Sequence, residues 1–140
     1  MWIEARTEKG GGKLDWEIEY YQKENGEIPV EDFLLTLNPR LRAKAYSDIV
    51  LLKRLGINIR APYSAPIKGE KYKGIFELRT KFSSDITRIF YYLFHQNKFV
   101  LLHGFVKKAN KPPERELDRA LNYKNDYERR CQDEQGRSEI

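Results

Sequence analysis

Alternating apolar and polar positions mark the first predicted strand, from Trp16 to Tyr20, where apolar residues alternate with acidic ones. Three more predicted strands follow one another closely, over 75–82, 87–94 and 98–106. The last two are apolar on both faces, which is typical of strands in the middle of a covered sheet. Their connections are too short for crossovers, so they should form an antiparallel meander with the first strand beside it.

Apolar residues at three- and four-residue steps predict three helices. These cover 29–37, 39–55 and 114 to about 129. The second has the clearest ends, with Asn38 as N-cap, Pro39 in the first turn and Gly56 as the stop. The order β-α-α-β-β-β-α predicts an α+β fold whose helices pack on one face of the sheet, while residues 57–74 are expected to form a loop.

A chain of 140 residues should hold one domain. Three consecutive glycines lie near its start, so residues 1–13 are predicted to be a flexible N-terminal arm. Residues 128–140 have few apolar side chains and are predicted to be a polar C-terminal tail. The compact domain should therefore occupy residues 14–127.

Several classes of protein are excluded by composition. A single cysteine rules out a disulfide framework and a zinc site built on several thiolates. No apolar run approaches the ~18–20 residues of a membrane span, and the N-terminus lacks the apolar core of a signal peptide. No glycine-rich phosphate loop or Gly-x-Ser-x-Gly motif is present. We therefore expect a cytoplasmic protein with no metal, no cofactor and no membrane contact.

The net charge of +5 is concentrated in one part of the chain. Between residues 68 and 115 there are eleven basic residues and four acidic ones. Phosphate is the commonest partner of such a surface, although lysines in loops can also serve solubility alone. The basic residues are Lys68, Lys71, Lys73, Arg79, Lys81, Arg88, Lys98, Lys107, Lys108, Lys111 and Arg115.

Arg88 lies inside an otherwise apolar strand, where an unpaired guanidinium would be costly. One interpretation is a structural ion pair with Glu77 on the neighbouring strand. The other is an anion clamp in which Arg79 and Arg88, on adjacent strands, bracket a phosphate.

The last predicted strand leads into two lysines, Lys107 and Lys108. They could place ammonium groups beside the arginines or mark only the point where the strand reaches water. Phe105 could stack on a base or belong to the core. His103 could titrate in a site, although a lone strand histidine is more often structural.

Taken together, these segments resemble the RelE/ParE superfamily of bacterial toxins, and most of all its HigB-like, phage-derived branch. The resemblance covers roughly residues 15–127. It is carried by Gly74–Arg79, Thr87–Tyr91, Leu101–Lys108, Lys111–Pro113 and the Glu116-x-x-x-Ala120 spacing.

The resemblance implies the toxin of a type II toxin–antitoxin system. Many members are metal-independent endoribonucleases that cut mRNA on the 70S ribosome through attack of the RNA 2′-hydroxyl on the scissile phosphate. The implied partner is a helix-turn-helix antitoxin, and the complex of the two would bind operator DNA.

Matched by position, Arg88 corresponds to the arginine that contacts the scissile phosphate, and Arg79 to a second basic residue. Lys107 and Lys108 stand where other members carry late catalytic residues, including His and Tyr. Lysine is a poor base at neutral pH, so the identities of the general acid and the general base are left open. Candidates for these roles are Glu77, Tyr92, His103 and also Tyr91. Expected substrate-binding residues are Phe105, Tyr91, Lys81, Lys111 and Lys73.

Two other functions remain open. The chain could bind DNA gyrase, as ParE-like toxins do, without cutting RNA. It could also be a phage-derived module that retains only nucleic-acid or antitoxin binding.

Overall fold

The computed structural model describes residues 15–108 and 110–138, so the arm expected at 1–13 lies outside the described residues. Within them, five strands form one sheet in the order β1-β5-β4-β3-β2. The elements are β1 (Glu17–Tyr20), α1 (Pro29–Leu35), α2 (Pro39–Leu55), β2 (Ser64–Pro66), β3 (Ile75–Phe82), β4 (Asp85–Phe94), β5 (Lys98–Val106) and α3 (Glu114–Ser138).

The sheet confirms the α+β class and the antiparallel meander of β3, β4 and β5. β1 lies beside the meander, as expected, and pairs with β5 in parallel. The predicted loop over 57–74 contains one additional strand, because Ser64 to Pro66 pair antiparallel with β3. Ser64, the first residue of this short strand, lies opposite Leu78, so on this side β3 has no strand partner from Arg79 onward.

α2 has the bounds that its sequence predicts. The Asn38 side chain accepts a hydrogen bond from the Leu41 amide at 2.9 Å, and Pro39 occupies the first turn. Gly56 ends the helix with a positive φ of 57°. The buried face of α2 packs on the sheet, mainly against β3.

Helices cover both faces of the sheet, so the expectation of a single covered face is corrected here. α1 and α2 pack on the face that carries Leu78, Ile89 and Leu101. α3 packs on the opposite face, which carries Phe90 and Leu102 among others. The reason lies in β4 and β5, whose residues are apolar on both faces and therefore require cover on both.

α3 continues to Ser138, past its expected end near Arg129, so most of the predicted polar tail is helical. Ion pairs between successive turns support this extension, including Arg130 with Asp126 at 2.9 Å and Arg129 with Asp133 at 3.6 Å. Asp126 also accepts a hydrogen bond from the Tyr21 hydroxyl at 2.6 Å, which anchors α3 to the segment after β1.

Gly56→Ala is expected to destabilise the fold by at least about 2 kcal/mol. A Cβ at this position would lie 2.0 Å from the Trp16 ring, and the backbone has a φ that favours glycine. Urea unfolding measures the effect. Gly136→Ala is the control, because its Cβ would meet nothing within 4 Å and alanine favours the helix by roughly 0.5–1 kcal/mol. Equal midpoints for the two variants would contradict the prediction.

None of the helices within the described ranges combines the length and the apolar character needed to cross a membrane.

Candidate functional site

A cleft of about 390 Å³ opens at the uncovered edge of β3. Its walls come from α2, the turn before β2, the adjoining ends of β3 and β4, and the segment after β5. The lining residues are Lys44, Asp48, Pro62, Tyr63, Arg79, Lys81, Ile86, Arg88, Lys107 and Asn110. Five of these ten side chains are basic, which makes the cleft a candidate site for a polyanion.

Arg79 and Arg88 lie directly opposite each other on β3 and β4. Glu77 holds both of them: its Oε2 lies 2.6 Å from Arg79 Nε, and its Oε1 lies 3.2 Å from Arg88 Nη1. The carboxylate offsets the repulsion between two facing guanidinium groups and fixes their orientation. The structure thus contains the ion pair of one interpretation and the two adjacent arginines of the other.

Arg88 forms the back of the cleft, with only 3% of its surface exposed. Its Nη2 donates a hydrogen bond to the Asn110 carbonyl at 2.9 Å. Its Nε has no hydrogen-bond partner among the described residues. Arg88 therefore contacts both Glu77 of β3 and the segment that follows β5.

Three more accessible cations, Arg79, Lys81 and Lys107, line the cleft together with the buried Arg88. The Arg79 side chain is 39% exposed, and Lys81 is exposed at the end of β3. Lys107 is half-buried, and its backbone amide donates to the Ile86 carbonyl at 2.8 Å. These three side chains can approach a bound phosphate without moving the core.

Sequence reasoning missed six of the ten lining residues, namely Lys44, Asp48, Pro62, Tyr63, Ile86 and Asn110. Asp48 is buried and accepts hydrogen bonds from Lys44 Nζ at 2.8 Å and from Thr80 Oγ1 at 2.9 Å. One signal could have revealed it, because Asp48 falls on the buried stripe of α2 between two apolar positions. A carboxylate there requires partners, and one of them, Lys44, lines the cleft.

Both expected tyrosines, Tyr91 and Tyr92, lie outside the lining of the cleft. Tyr91 belongs to the core beneath α1 and α2, and its hydroxyl pairs with Ser64 Oγ at 2.5 Å. Tyr92 is buried on the α3 face, where burial is the main cause of its raised pKa. Neither hydroxyl lines the cleft.

Four more of the expected residues lie outside the lining of the cleft. Phe105 is buried and packs on Phe90, with ring centroids 5.3 Å apart. Lys108 is exposed and lines a separate hollow with Phe105. Lys73 and Lys111 are exposed and lie outside the lining of the cleft.

His103 is paired with Glu116 of α3, and its Nε2 lies 2.6 Å from Glu116 Oε1. Burial lowers the pKa of His103 below its ordinary 6.5, and this effect outweighs the opposite influence of Glu116. The histidine is thus held in its neutral form under α3, away from the cleft.

The His103 environment predicts a loss of stability in acid. Below pH 6.5 the unfolded chain binds a proton at this histidine more readily than the folded protein does, so the free energy of unfolding falls as pH falls. His103→Gln should show a shallower loss between pH 7.5 and 5.5 in urea unfolding. His95→Asn, at an exposed turn, is the control and should keep the wild-type slope. A wild-type slope in His103→Gln would contradict the assignment.

Within the two described ranges, no three His, Cys, Asp or Glu side chains are grouped so that they could hold a metal ion.

A family model described as phage-derived protein Gp49-like (DUF891) matches residues 32–125. The match takes in α2, the four strands from β2 to β5 and about the first half of α3, and so includes all ten residues that line the cleft. No curated protein matches the chain at a significant level. Since the family model covers well over half of the sequence, the chain belongs to the phage-derived Gp49-like family, a family of the RelE-type toxin superfamily.

Proposed function

We propose that the protein is the toxin of a type II toxin–antitoxin pair, with HigB-like activity, and that it cleaves mRNA on the ribosome. The observation that carries this proposal is the convergence of five basic side chains in one cleft, two of them fixed by a shared carboxylate. Membership of a family in a toxin superfamily supports the same function.

The proposed reaction is an internal transesterification of RNA. A 2′-oxygen attacks the adjacent phosphorus, the bond from phosphorus to the 5′-oxygen breaks, and a 2′,3′-cyclic phosphate and a 5′-hydroxyl result. The proton lost by the 2′-hydroxyl is balanced by the proton gained at the 5′-oxygen. Negative charge grows on the phosphorane, and cations fixed around it lower the barrier.

The cleft offers distinct roles for its cations. Arg79, whose side chain is 39% exposed, and the exposed Lys81 lie two residues apart on β3 and would contact the phosphate oxygens. Lys107 comes from the segment after β5, and a protonated lysine can donate to the leaving 5′-oxygen. Arg88 and Glu77 are buried, so we assign them to positioning Arg79 and the segment that contains Asn110.

The proposed partners follow from the same function. A small helix-turn-helix antitoxin would neutralise the toxin in the cytoplasm, and the complex would bind operator DNA. A short reading frame for such a protein beside this gene would support the pair.

The test adds purified protein to translating ribosomes and maps mRNA ends by primer extension. Discrete cleavages that need no added metal would support the proposal. Intact mRNA, together with growth arrest and inhibited DNA supercoiling by gyrase, would replace it with the ParE-like alternative. Intact mRNA and no growth arrest from folded protein would leave the non-catalytic binding module.

A further inference from the structure

One aromatic side chain lines the cleft among the described residues, and it is Tyr63. The residue is 40% exposed and belongs to neither of the two apolar cores. Phe105, the ring that the sequence offered for stacking on a base, is buried on the α3 face instead. The exposed ring of the cleft therefore contributes little to core packing.

The backbone of Tyr63 is fixed directly beside Arg79. Its carbonyl accepts a hydrogen bond from the Arg79 amide at 2.8 Å, and its own amide donates to the Arg60 carbonyl at 2.9 Å. These bonds hold the backbones of Tyr63 and Arg79 side by side at the edge of the sheet. The backbone that carries the ring is thus fixed next to the cations of the cleft.

A cation also lies over the Tyr63 ring on its α2 side. Lys44 Nζ is 5.9 Å from the ring centroid and is held by Asp48 at 2.8 Å. Asp48 is in turn bound to Thr80 of β3, so a buried carboxylate ties this wall of the cleft to the sheet. The wall therefore pairs an exposed ring with a fixed ammonium group, which suits an anionic, aromatic ligand.

We propose that Tyr63 stacks on a nucleobase of single-stranded RNA whose phosphate is held by Arg79 and Lys107. The proposal rests on the proposed function and specifies its substrate. Stacking on an exposed ring requires a base that is free of its own helix, so an unpaired strand fits and a duplex does not. Every base has a π-face, so this contact would add affinity with little sequence preference.

The test measures binding by fluorescence anisotropy at low salt. One probe is a labelled, uncleavable hexamer of 2′-O-methyl RNA, and the other is an abasic hexamer with the same backbone. Tyr63→Ala should weaken binding of the first probe by roughly 5- to 150-fold and leave the abasic probe unchanged. Tyr63→Phe should bind both probes as the wild type does.

Tyr46→Ala is the matched control, because Tyr46 is 37% exposed on α2 and lies outside the cleft. It should bind both probes normally. Equal weakening of both probes by Tyr63→Ala, or no weakening of either, would overturn the stacking assignment. Arg79→Ala tests the proposed function separately from the stacking assignment. It should weaken binding of both probes, because both carry the phosphate backbone. If it weakens binding of neither probe, the cleft is not the RNA site.

Discussion

Arg79→Ala is expected to lower the rate of mRNA cleavage by about 10²–10³-fold, the usual cost of removing one preorganised donor to a developing negative charge. Arg79 is the guanidinium of the cleft that is both fixed and accessible, because Glu77 binds its Nε while 39% of the side chain stays exposed. The measurement is single-turnover cleavage of a reporter mRNA on translating ribosomes, with growth arrest on induced expression beside it.

Two further variants show whether the loss of cleavage in Arg79→Ala comes from its position in the cleft and from its forked geometry. Arg115→Ala removes a side chain that is 79% exposed and lies outside the cleft, so it should cleave at the wild-type rate. Arg79→Lys keeps the charge and loses the forked geometry, and it should recover only part of the activity. Full activity in Arg79→Ala would remove the cleft from the reaction.

Glu77→Leu is expected to cost about 3–5 kcal/mol of unfolding free energy, because it leaves the buried Arg88 without a counter-charge. Both side chains of this pair are nearly inaccessible, at 3% and 4% exposure. Urea unfolding followed by circular dichroism gives the difference, and cleavage should be lost along with it.

A second substitution distinguishes a lost ion pair from poor packing. Replacing a buried pair with apolar residues of similar size is often nearly neutral, so Glu77→Leu combined with Arg88→Met should regain most of the stability. It should stay inactive, since nothing then orients Arg79 or binds the Asn110 carbonyl. A double variant as unstable as the single one would show that shape, and not charge, dominates at this position.

Local signals explain why much of the fold was predictable. The cap at Asn38, the proline after it and the stop at Gly56 define α2 through its own sequence. β2 gave no such signal, because three residues ending in proline show neither alternation nor an apolar run. The sequence also did not show which face of the sheet α3 covers. An amphipathic stripe indicates which face of a helix is buried, but not which face of the sheet it packs against.

The lining residues of the cleft were predictable only where they lie in the strands of the meander or directly after them. The meander brings together Arg79 and Lys81 of β3, Arg88 of β4 and Lys107, which directly follows β5. Lys44 and Tyr63 reach the cleft through the packing of α2 and the turn before β2, which no local spacing encodes. The roles expected for Tyr91 and Tyr92 depended on which face each side chain takes, and both faces of β4 are buried.

The parallel pairing of β1 with β5 has a consequence for the order in which parts of the fold can form during synthesis. Glu17 lies opposite Lys98, so the first strand has no partner until most of the chain has been translated. Lys107 and Asn110 of the cleft are made later still. Domains generally fold as units during synthesis, and contacts this distant in sequence form slowly. A nascent chain therefore lacks a complete cleft until the residues up to Asn110 have been synthesised and the sheet has paired.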